Sequence, residues 1–156
     1  MVRRLALDTN LLILLVVGRV SRKLISAHRR LRSFNESDYE LLTKTLSSFE
    51  RLIVTPNSST ETSNLIIDGM RDPYRRDLIA VLGTILADSD EHYEPSASIC
   101  RTPEFGRMGL TDAIWLKVID RHSALLTDDG GLFSAALQVG IEAYNFSYVR
   151  RFGELN

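Results

Sequence analysis

Apolar residues in this chain alternate between short continuous runs and longer helical stripes. Residues 2–7, 52–55 and 124–127 read as short strands with apolar cores Leu5-Ala6-Leu7, Leu52-Ile53-Val54 and Ala124-Leu125-Leu126, each closed by polar or turn residues, and a final strand is predicted within 141–149. Between them the period changes. Residues 10–17 are apolar on nearly every side, so this helix is predicted to be buried, with Gly18 relaxing or interrupting it. Residues 19–31 read as an amphipathic helix around Val20, Leu24, Ile25 and Leu31. Asn35 to Asp38 supplies turn and cap chemistry, and Tyr39, Leu42, Leu46 and Phe49 recur at helical spacing behind it. Further helices are predicted over 60–70, 74–87, 112–121 (capped by Thr111) and 132–139. Pro95-Ser96 and Thr102-Pro103 open short helices, and Gly130-Gly131 reads as a turn. Tyr144, Phe146, Tyr148 and Phe152 alternate and predict one face of the last strand, packed under a helix.

Short apolar strands joined by long helical connections predict an α/β fold, a three-layer α/β/α sandwich with a central parallel sheet. Residues 1–156 form one domain in this reading, with a helical insertion or pair at about 19–50. The length is enough for a core that needs no disulfide. The single cysteine, Cys100, cannot pair internally and fits a reducing compartment. The uninterrupted apolar run 11–17 is too short to span a bilayer, and no small-residue cleavage pattern follows Arg3-Arg4, so a cytoplasmic protein is expected. A net charge of −1 implies no general attraction to polyanions, so any nucleic-acid contact must come from local charge.

Acids stand where such a fold gathers ligands, beyond the carboxyl ends of its strands. Asp8 directly follows the first strand in Leu7-Asp8-Thr9-Asn10, and Asp128-Asp129 follows Thr127. Glu61 comes soon after Pro56, and Asp112 opens its helix. Each has a plain structural use as a helix cap or turn former. Together they suggest a site for a hard divalent cation, because clustered carboxylates repel: two at 4 Å cost about 4 kcal/mol at an effective dielectric near 20. Such a cation supports hydrolysis at phosphate. No Gly-rich phosphate loop and no dinucleotide fingerprint follows Leu7. His28, His92 and His122 have no ligand spacing and read as surface residues.

Four segments together resemble the PIN-domain ribonucleases, most closely the VapC-like toxins. They are Leu5-Ala6-Leu7-Asp8-Thr9-Asn10, Thr55-Pro56 with Thr60-Glu61-Thr62-Ser63-Asn64-Leu65, Gly109-Leu110-Thr111-Asp112-Ala113, and Leu126-Thr127-Asp128-Asp129. The resemblance covers essentially the whole chain, and the fourth segment is its loosest part. It implies a ribonuclease dependent on Mg²⁺ or Mn²⁺, leaving a 5′-phosphate and a 3′-hydroxyl. Asp8, Glu61, Asp112 and Asp129 would be the metal-holding catalytic acids, with Asp128 as neighbour or substitute for the last. Thr9, Asn10 and Thr127 would orient carboxylates or water. It also implies an RNA substrate and a small antitoxin partner. The alternative is a non-catalytic RNA-binding or protein-interaction domain on the same fold.

Arg19, Arg22, Lys23, Arg29, Arg30 and Arg32 lie in a span without an acid and are candidates for RNA or partner contact. A solvated helix face is the plainer reading of them. Residues 11–17 carry more apolar surface than one helix usually hides, which makes a homodimer plausible.

Overall fold

The computed structural model describes residues 3–155, so Val2, the first residue of the expected opening strand, lies outside them. Five strands form one sheet: β1 Arg4–Leu7, β2 Arg51–Val54, β3 Asp90–Glu91, β4 Ser123–Thr127 and β5 Ala143–Asn145. Their order is β3-β2-β1-β4-β5, and every neighbouring pair is parallel. Helices cover both faces. Over Leu5, Leu7, Ala124 and Leu126 pack α1 Thr9–Val20, α2 Glu36–Leu46, α3 Pro56–Gly69 and α4 Tyr74–Ala87. Over Ala6, Ile53 and Leu125 pack α5 Ser96–Ile99, α6 Pro103–Val118 and α7 Gly130–Gln138. The last helix, α8 Phe146–Phe152, sends Phe146 and Val149 into the first of these clusters. The predicted α/β architecture with a parallel central sheet is therefore present. Burial on both faces is why β4 is apolar throughout rather than alternating.

Strands β2 and β3 extend to one side of β1, and β4 and β5 to the other. The winding reverses between β1 and β4, where such sheets open a crevice at their carboxyl ends.

Several elements differ from the sequence pattern. Residues 11–17 do not offer surplus apolar surface to a second copy: all seven are at most 2% exposed, enclosed within the chain. Gly18 does not interrupt α1. It makes room for Tyr39, whose Cδ2 would lie 2.1 Å from a Cβ added there. The predicted amphipathic helix over 19–31 is absent. Ser21 is extended (φ −164°, ψ 128°) and ends α1, after which two 3₁₀ turns, Arg22–Leu24 and Arg29–Leu31, fold back. Leu24, Ile25, His28 and Leu31 are buried there, which gives the segment helical spacing without a helix. His28 is thus not a surface residue; its Nδ1 accepts from the Arg30 N–H at 3.2 Å.

Helix α3 begins at Pro56 rather than near residue 60. Thr55 accepts from the Ser58 N–H at 3.1 Å and Ser58 answers to the Thr55 N–H at 3.0 Å, with proline at the first helical position, where it needs no N–H partner. Thr111 caps nothing: it lies inside α6, which is broken instead at Gly109 (φ 80°, ψ 178°). Gly130 and Gly131 are the opening of α7 rather than a turn, because Asp129 caps it. The alternating aromatics are not one strand face, since Asn145 ends β5 and caps α8. Among the described residues no helix is long and apolar enough to cross a membrane.

Candidate functional site

The crevice between β1 and β4 is built on Asp8. Its Oδ1 accepts from the Leu11 N–H at 2.9 Å, which caps α1. Its Oδ2 accepts from the Thr127 hydroxyl at 2.6 Å and the Asp128 N–H at 2.7 Å. One carboxylate therefore staples the ends of two adjacent strands. Burial pushes its carboxyl above the ordinary carboxylate range, and these three hydrogen bonds act against that rise.

Thr127 links the next acid to this staple. Its hydroxyl donates to Asp8 and accepts from the Asp129 N–H at 2.9 Å. Asp129 in turn accepts from the Leu132 N–H at 2.7 Å and caps α7. Its carboxylate lines a cleft of about 550 Å³ together with Asp112, Arg107, Ser134 and Gln138. Asp128 turns the other way and accepts from the Ser147 hydroxyl of α8 at 3.3 Å. Burial raises its carboxyl, while Ser147 and the Arg150 charge oppose that. Of the two adjacent acids, Asp129 is the one that shares a cleft with Asp112.

Glu61, on α3, accepts from the Thr9 hydroxyl at 3.3 Å. It lines a second cleft, of about 450 Å³, with Asn57, Thr60, Asn64 and Thr111. Thr111 and Asp112 are consecutive, so the two clefts adjoin on α6. The break at Gly109 sets this position: φ 80° with ψ 178° is backbone that essentially only glycine adopts, and the helix restarts just before Asp112.

Asp112 reports the convergence electrostatically. Burial, and then the like charges of Asp129, Asp8 and Glu61, push its carboxyl up to about 6. Among the described residues no hydrogen bond to Asp112 offsets this rise. Coulombic repulsion falls with distance, so three carboxylates from three other elements lie near the fourth. The structure thus brings together Asp8, Glu61, Asp112 and Asp129. Among the described residues no three acidic, histidine or cysteine side chains form a ready-made metal cage. The donor set still fits a hard divalent cation: it offers oxygen ligands only, and its half-buried Asp112 carboxylate is destabilised by burial and like charge.

The basic span is dispersed. Arg22 pairs with Glu40 at 2.5 Å and lies over Tyr39. Arg19 lines a separate hollow with Leu46 and Phe49, and Arg29 one with Arg71 and Asp72. Arg30 comes to the crevice, where its Nη2 donates to Asn10 Oδ1 at 3.3 Å. Lys23, within the first 3₁₀ turn, and Arg32, just after the second, are exposed. Sequence reasoning missed Arg107, which lines the Asp112–Asp129 cleft, and Ser147 beside Asp128. Neither carries a signal in the sequence; only the kink in α6 and the start of α8 bring them there.

The fold and site together define an α/β protein with an acidic crevice at the switch point of a parallel sheet. No protein-family model matches the chain, and no curated protein or solved structure matches it.

Proposed function

We propose that this protein is a metal-dependent ribonuclease of the PIN type, hydrolysing RNA phosphodiesters at the crevice formed by Asp8, Glu61, Asp112 and Asp129. The observation that carries the reading is the cleft shared by Asp112 and Asp129, in which burial and the like charges of Asp129, Asp8 and Glu61 lift the half-buried Asp112 carboxyl to about 6. A Mg²⁺ or Mn²⁺ ion held there would supply charge stabilisation and water activation at the phosphodiester. Asp112 and Asp129 would hold it, with Glu61 across the adjoining cleft and Asp8 behind. Thr127 fixes Asp8 and the backbone of Asp129 in one network. Thr9 orients Glu61. The motif resemblance adds the toxin of a toxin–antitoxin pair as the biological setting, with a small antitoxin as partner.

A second reading has its own support. Asp8 and Asp129 both cap helices, work that a non-catalytic RNA-binding domain would also need. The test is cleavage of mixed single-stranded RNA and DNA with Mn²⁺, Mg²⁺ or EDTA, by wild type and Asp112→Asn. The nuclease reading expects RNA cleavage that EDTA stops and the substitution abolishes. RNA binding without any turnover would favour the second reading, and undiminished cleavage by Asp112→Asn would overturn the assigned site.

A further inference from the structure

Three aromatic rings are in successive contact across α7 and α8. Phe133 stands one turn beyond Asp129, its N–H donating to the Asp129 carbonyl at 3.0 Å. Its ring meets Tyr148 edge-on, with centroids 6.4 Å apart at 60°. Tyr148 is then nearly parallel to Phe152, with centroids 6.5 Å apart at 19°. Tyr148 is 54% exposed and Phe152 56%, a large apolar area to leave in water. The spacing of these two is i, i+4, so they share one face of α8.

That face is held in place and flanked by positive charge. Arg150 is committed inward: its Nε meets the buried Asp38 at 2.9 Å, and its Nη2 donates to the Ser33 carbonyl at 3.0 Å. Arg151 is exposed and lies 5.4 Å over the Phe152 ring. At the near end Ser147, the neighbour of Tyr148, donates to Asp128. Flat aromatic faces with an adjacent guanidinium, on a helix whose first turn is bonded to Asp128 beside Asp129, match the bases and phosphates of a single strand.

Resting on the nuclease reading, we propose that Tyr148 and Phe152 form a stacking platform for unpaired bases of an RNA strand next to the cleavage point. The protein would then select single-stranded or looped RNA, because bases within a duplex have no free faces to offer. Arg151 contacts the phosphate between them.

The test measures binding separately from turnover. A short labelled single-stranded RNA is titrated by fluorescence anisotropy in EDTA with wild type, Tyr148→Ala/Phe152→Ala and the aromatic-preserving Tyr148→Phe/Phe152→Tyr. The double alanine variant should bind about 10-fold or more weakly, and the aromatic variant close to wild type. Replacing the flanking bases by abasic riboses should remove the difference between the proteins. Equal RNA affinity in the double alanine variant overturns the platform, and so does equally tight duplex binding by wild type. A dimer-to-monomer change in sedimentation with unaltered RNA affinity overturns it in favour of self-association. RNA binding that the alanines weaken, in a protein that never cleaves, leaves the platform standing and removes the nuclease.

Discussion

Asp112→Asn is expected to make the protein more stable while removing the proposed activity. Its carboxyl sits at about 6 instead of an ordinary 3.8, raised by burial and by Asp129, Asp8 and Glu61. That difference corresponds to ~3 kcal/mol against the charged form. The group is partly open to water, and screening reduces the usable figure to ~1–1.5 kcal/mol. The sign follows from proton binding. Between pH 4 and 6 the folded protein holds a proton that the unfolded chain has released, so wild-type stability falls as pH rises through that window. The amide escapes this fall. The variant should therefore melt roughly 3–5 °C higher at pH 7.5, with the advantage vanishing near pH 4. Calorimetry in EDTA at both pH values measures it. A variant that melts at or below wild type at pH 7.5, or keeps the same advantage at pH 4, would refute the account of Asp112. Adding Mn²⁺ should raise the wild-type midpoint and leave the variant nearly unmoved.

Asp8→Asn should behave oppositely despite its position in the same cluster. Three donors, the Leu11 and Asp128 N–H groups and the Thr127 hydroxyl, converge on its two oxygens, and an amide would turn an NH₂ toward a backbone N–H. One unpaired buried N–H costs ~1–3 kcal/mol, partly offset by losing the buried charge, so urea unfolding should show a net loss of ~1 kcal/mol. Gly109→Ala should cost ~1–3 kcal/mol and depress cleavage, because the surroundings are open and only the φ of 80° resists. Gly106→Ala, also in open space but without that backbone strain, should be neutral or stabilising in the same melt. Gly18→Ala places a methyl 2.1 Å from the Tyr39 ring and should destabilise by ~1–3 kcal/mol in chemical denaturation.

The sheet and most helices were legible because buried parallel strands read as short apolar runs, and because caps such as Asn35 and Asp38 mark helix starts. Helix α4 matched its predicted span. Strand β3 was invisible: Asp90 and Glu91 are polar, and only pairing with Ile53 and Val54 makes them a strand. The 19–31 segment misled because Leu24, Ile25, His28 and Leu31 keep a helical interval while being buried by turns over α1. The aromatic alternation misled because two periods meet at Asn145, a strand before it and a helix after. The four acids were legible as residues at strand ends and helix starts. The electrostatic penalty at Asp112, and the complete engagement of Asp8, were not, since both depend on distances between segments remote in sequence.

Asp8 is joined to the most enclosed helix of the molecule, and this has a dynamic consequence. Helix α1 touches β1, α2, α3, α4 and both 3₁₀ turns, with no apolar face left in water. Such a helix has no easy route to local opening. The Leu11 amide, bound to Asp8, should exchange its hydrogen only when the whole protein unfolds. The acid cluster is thus rooted in the part of the fold that opens last.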